Sequence, residues 1–189
     1  MTLHPSLMHR RTLLKFAAAG LVTGPLAAAG AVQSNPVPPG KPGEFDFLSG
    51  NWRIAHRRRP AAGKTEWDEF PGEATCWSIL GGVASIEELR IPARNFSGMG
   101  IRLLDVEKKI WSDFWVNAKS GVLMTPGTTG GFVNGVGIFD AQDTDGDKPV
   151  IIRGMWDRIT PTSCRWTQAV SRDNGKTWDL DWEMAWTRA

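Results

Sequence analysis

The chain has 189 residues, with 22 Lys+Arg against 20 Asp+Glu for a formal charge of +2, and it carries ten tryptophans but no tyrosine. So even a balance excludes the broad basic field that would hold nucleic acid or an anionic membrane.

The first element is a leader. "HRRTLLKFAAAGLVTGPLAAAGA" pairs Arg10 with Arg11, continues through a moderately apolar run and ends on small residues, Ala29-Gly30-Ala31. The Arg-Arg-x-Leu-Leu-Lys order resembles a twin-arginine export signal, with a general secretory signal as the alternative. Pro25 and the glycines interrupt a run shorter than the roughly 20 apolar residues of a membrane span. Residues 1–31 are expected to be removed near Ala31, leaving a periplasmic or secreted protein without a stable membrane span. Arg10, Arg11 and Lys15 leave with the leader and no acid does, so 19 basic residues then face 20 acidic ones, a charge of −1. In an oxidising compartment Cys76 and Cys164 could pair or remain separate buried thiols, and their spacing fits no zinc pattern. Residues 32–44, "VQSNPVPPGKPGE", read as an extended linker. Roughly 145 residues remain, enough for one domain with one core, 45–189.

That domain reads as short segments of period-two alternation broken by glycine, proline and aspartate. Strands are predicted at 52–59, 66–70, 73–80, 83–91, 100–105, 110–117, 121–124, 135–140, 150–159, 164–171 and 178–188. "PARNFSG" reads as a loop, and "TPGTTGGFVNGVG" as a flexible loop and wide turn. "VEKK", "DTDGDK" and "RDNGKT" read as hairpin connections. Connections this short favour antiparallel neighbours. The predicted fold is all-β: a single antiparallel up-and-down barrel of about ten strands, which leaves no free edge. A two-sheet sandwich is the alternative.

"FDFLSGNW" places a Gly-x-Trp triplet at the start of the first strand, and "WEMAWTR" ends the last strand on Arg188. This pairing resembles the lipocalin-like (calycin) barrels. The resemblance implies that Trp52 closes the barrel floor beneath Arg188, where a guanidinium over an indole gains a cation–π contact. Residues 45–188 also resemble an uncharacterised bacterial family with a lipocalin-like barrel, through "FDFLSGNW", "HRRR", "EWDEFPG", "ILGG", "WSDFW", "ITP", "RWTQAVSRDNGKTW" and "WEMAWTR". It implies the fold and brings no reaction.

His56 is the one histidine after the leader. This excludes a multi-histidine metal centre and leaves His56 as the only imidazole for a catalytic triad or a haem. Neither is expected: there is no G-x-S-x-G elbow and no histidine on a late strand. Period two puts Trp52, Ile54, His56 and Arg58 on one face. The same reasoning groups Val83, Ser85, Glu87 and Leu89, then Ile151, Arg153, Met155 and Asp157, then Cys164, Trp166, Gln168 and Val170. With these faces turned inward, His56, Arg58, Glu87, Arg153 and Gln168 form a polar cluster. It can act as a clamp for an anionic or carbonyl group, or as an internal salt-bridge network. Glu87 with His56 is the candidate acid–base pair.

"DTDGD", Asp143 to Asp147, has the look of a calcium loop but lacks the EF-hand order, so it reads as a hairpin tip. "SRDNGKTW" matches an Asp-box turn, with Asp173, Gly175 and Trp178 as structural residues. No metal and no cofactor are expected. The leading function is binding of a small, partly apolar ligand in the barrel interior. The alternatives are a small barrel enzyme (isomerase, cyclase or hydrolase) using His56 and Glu87, and a structural or partner-binding envelope protein with a filled core.

Overall fold

The structure is a computed structural model that describes residues 37–59 and 66–189. The expected leader and the first part of the proline-rich stretch lie outside the described residues. Ten strands make up the domain: β1 (Gly50–Arg58), β2 (Asp68–Ile79), β3 (Ala84–Ile91), β4 (Phe96–Asp105), β5 (Ile110–Asn117), β6 (Thr128–Val133), β7 (Val136–Asp145), β8 (Lys148–Asp157), β9 (Ser163–Ser171) and β10 (Asp179–Arg188). Each pairs antiparallel with its sequence neighbours, and β10 returns to pair with β1, closing the barrel. Among the described residues there is no α-helix and no helix long and apolar enough to cross a membrane.

Three differences from the expected strands have local causes. The segments predicted at 66–70 and 73–80 are one strand, β2, running through Pro71. Pro71 lies opposite Ala55 of β1, while pairing with β3 begins only at Glu73. The missing N–H therefore faces a side with no ladder to break. Residues 121–124 form no strand, and Leu123 makes a single bridge to Val116. The stretch read as a loop instead supplies β6, which turns into β7 through Asn134-Gly135 with φ of 51° and 78°. Two positive φ values are the signature of the tight hairpin turn that Asn-Gly favours. β7 runs on to Asp145, so Asp143 and Asp145 lie in a strand, and Asp145 accepts from Arg172.

The barrel has a closed end and a mouth. A 3-10 turn, Asp46–Leu48, enters the closed end and buries Phe45 and Leu48. Phe45 meets Trp111 and Phe132 edge-on, each at 5.0 Å between ring centroids. Trp52, Trp111, Trp156 and Trp186 complete a floor in which each of the four is at most 2% exposed. Trp52 donates its N–H to the Leu48 carbonyl at 2.6 Å. Arg188 lies across the Trp52 indole at 3.9 Å and donates to the carbonyls of Phe47, Ser49 and Pro161. The described part of the proline-rich stretch packs on this end: Gly40 donates to the Lys109 carbonyl and Gly43 to that of Gly82.

Candidate functional site

The inward faces carry two polar groups at different depths. The deeper one is Glu87 on β3 and Arg102 on β4, an ion pair at 2.5 Å with both side chains no more than 5% exposed. Ser85 lies opposite Arg102 in the β3–β4 register, and Asp113 of β5 stands 3.7 Å from Nε of Arg102. Burial pulls the Arg102 pKa down, but the charges of Glu87 and Asp113 more than offset it, and the net direction is up. Cys76 and Cys164 lie in this region as free, buried thiols. Burial, with Glu87 nearby, raises both, Cys164 to about 12.

The second group lies towards the mouth. His56 is 1% exposed and stacks on Phe70 with ring centroids 4.7 Å apart. Its Nδ1 accepts from the Trp182 indole at 3.3 Å, which assigns the proton to Nε2. Nε2 lies against Gly72 and finds no partner among the described residues. A Cβ at Gly72 would sit 2.5 Å from that nitrogen, so the imidazole occupies the space a side chain would fill. Burial holds the His56 pKa down to about 4, with Arg94 and then Arg58 adding to the effect. The imidazole is therefore neutral at pH 7.

Around it stand two guanidinium groups. Arg58 lies over Trp182 at 4.3 Å. Arg94 lies over Phe70 at 3.6 Å and pairs with Asp68 at 2.6 Å. Gln168 donates to Asp181 at 3.2 Å. Burial raises the pKa of Asp181, and the Gln168 bond and then Arg58 oppose that shift. The inward aromatics at this level, Phe70, Phe96, Trp115 and Trp166, pack on the core yet stay partly exposed. They form a collar open to solvent above the sealed floor. A cleft of about 480 Å³ opens beside this rim at Pro92, Phe96 and Lys119. A second, of about 590 Å³, lies at the opposite end between Phe47, Phe132 and Ile159.

The expected cluster is thus divided. His56, Arg58 and Gln168 share the mouth. Glu87 is held by Arg102: Phe70 opposite His56 and Cys76 opposite Glu87 are six residues apart along β2, about 20 Å at the strand rise. The acid–base pair is not assembled. Arg153 is outside, bonded to Asp140 through two hydrogen bonds of 2.8 Å and lying over Trp178. The phase of β8 is opposite to the one expected, because Trp156 and Val150 take the buried face. Three residues escaped the sequence reading: Arg102, Arg94 and Asp181. Arg102 sits between Ile101 and Leu103, two outward apolar residues that hide the alternation. The turn at Asp173 forms as expected: its carboxylate accepts from the Ser171 hydroxyl and from the backbone and side chain of Thr177. Gly175 has φ +85° and sits over Trp178.

No protein-family model matches the chain, and no curated protein matches it. Among solved structures it is similar to a protein of unknown function from the DUF3598 family of Nostoc punctiforme, at 10% identity and a TM-score of 0.42. The match covers 87% of this chain and 53% of that one, so the chain spans about half of that protein's length.

Proposed function

We propose that this barrel binds a small, partly apolar molecule at its mouth, holding an anionic or carbonyl group of the ligand with Arg58. The observation that carries this reading is the collar of partly exposed aromatics around a guanidinium that makes no ion pair among the described residues. Apolar walls with a few placed polar groups suit a ligand site. An arginine stacked on Trp182 keeps its in-plane donors available to a carboxylate or carbonyl. The sealed floor confines the ligand to the upper half of the interior. Acid–base catalysis by His56 and Glu87 has no support from this geometry. Four packed tryptophans in the floor favour, as a second reading, a filled-core protein that binds partners rather than small molecules. We read the Arg10-Arg11 leader as an export signal, which would put the ligand in the periplasm or outside the cell, and the Trp52–Arg188 closure as lipocalin-like.

Native mass spectrometry of the protein purified from its own cells tests the proposal. A retained small molecule that is lost from Arg58→Met, with the fold intact by circular dichroism, is the expected result. A protein that emerges bare, and whose tryptophan fluorescence responds to no member of a panel of apolar carboxylates and ketones, supports the filled-core reading instead.

A further inference from the structure

The outer wall of β2–β5 carries an apolar patch. Two cross-strand rows define it. Trp77 lies opposite Ile86, which lies opposite Ile101, which lies opposite Phe114. In the next row Ile79 faces Ala84 and Ala84 faces Leu103. Trp77 is 47% exposed, Ile79 39%, Leu103 42% and Leu80, at the end of the patch, 71%. Leu80 also holds φ at 54°, a conformation a leucine adopts at a cost, with most of its side chain left in water.

We propose that this face is the interface of a homodimer, with the same patch of a second copy as its occupant. The area argues for it. With roughly 250 Å² for a fully exposed Trp and the lower end of the aromatic range, about 150 Å², for each Ile or Leu, the four named residues leave on the order of 350 Å² of apolar surface in water. A two-fold contact doubles that figure. Adding the half-buried Ile86, Ile101 and Phe114 and a polar rim brings it to about the 1,200 Å² at which stable interfaces begin. The charges at the rim fit the same partner. Arg90 is already paired with Glu73 and Glu88, and Lys108 with Asp105. The border thus sets two cations against three carboxylates, each cation already paired: no free basic patch is offered to an anionic lipid surface, and the excess between two copies is small. A closed barrel offers no edge for strand addition, so the contact is made by side chains, face to face. Isologous two-fold contact is the commonest way a single patch is satisfied.

Sedimentation velocity of the full chain across the micromolar range tests this, with wild type, Leu103→Glu and Leu80→Asp sharing one N-terminus so that any association through the leader is common to all three. The expected result is a wild-type mass twice that of the 20.8 kDa chain, reduced to the monomer mass in both variants, with near-ultraviolet circular dichroism unchanged. A monomeric wild type overturns the proposal, as does a dimer that survives both substitutions. So does a monomer that instead sediments with phosphatidylcholine–phosphatidylserine vesicles, which would make the face a lipid contact. Should one variant fail to fold, the wild-type mass and the other variant still decide.

Discussion

Arg188 lies 3.9 Å above the indole of Trp52, and the two residues face each other in register across the seam where the last strand meets the first. One side chain thereby ties three things together: the seam, the 3-10 turn through the carbonyls of Phe47 and Ser49, and the 158–162 connection through Pro161. Arg188→Ala is expected to cost about 2–3 kcal/mol, the loss of a cation–π contact and of charge-assisted hydrogen bonds. Arg188→Lys should recover only part of it, because an ammonium cannot span the same carbonyls. Trp52→Ala should cost about 3–5 kcal/mol by leaving a cavity in the floor. Urea unfolding measures all three, and near-normal stability of Trp52→Ala would remove the floor from the account.

His56 sets a pH dependence. Its pKa is held at about 4 against an unperturbed 6.5. Below pH 6.5 the unfolded chain takes up a proton that the folded chain refuses, so stability falls as pH drops from 6.5 to about 4 and levels off below that. The full contribution is about 3 kcal/mol. His56→Gln should flatten the profile in that window. Imidazole NMR titration should show the His56 resonance displaced to acid.

Glu87 and Arg102 are buried together, and neither tolerates the loss of the other. Arg102→Met should cost about 3–5 kcal/mol, because it leaves the Glu87 carboxylate buried without its partner, and Glu87→Leu somewhat less, because Asp113 stays 3.7 Å from Arg102. The double variant should regain most of that. A double-mutant cycle in urea tests it, and additive losses would show that the two act independently.

Cys76 and Cys164 are shielded by burial, which also raises both thiol pKa values. A thiol reagent such as dithionitrobenzoate should react with neither in the native protein on the timescale of minutes, and with both after denaturation in urea. Rapid reaction of a native thiol, or no reaction after unfolding, would contradict two free, enclosed cysteines.

Much of the container could be read from the chain, while little of its contents could. Gly50-Asn51-Trp52 and Arg188 sit at the two ends of the domain, so their meeting follows once the strands are counted. The β1 face of Trp52, Ile54, His56 and Arg58 was readable because Arg53 and Arg57, on the other face, are poor core residues. β8 was misread because Ile151 and Met155 outside look as apolar as Val150 and Ile152 inside, and only the bulk of Trp156 marks the core side. β6 was missed because four of its six residues are threonine or glycine, although Asn134-Gly135 announces a hairpin that needs a strand on each side. Arg94 and Arg58 converge through a turn and a register that no period predicts. The apolar outer wall was invisible for a related reason: alternation says which residues share a face, but not which face meets water.

The pairing of β1 with β10 also governs how the molecule comes to be folded. The ladder joins Trp52 to Arg188, so nearly the whole domain must be synthesised before its final seam can form. Most of the other pairings are between neighbours and can form as hairpins, whereas this one carries the greatest loop-closure cost and belongs to the slow, high-contact-order end of folding. Until it forms, β1 and β10 each present an unpaired edge, and those edges are where a nascent chain is most open to misassembly with another copy of itself.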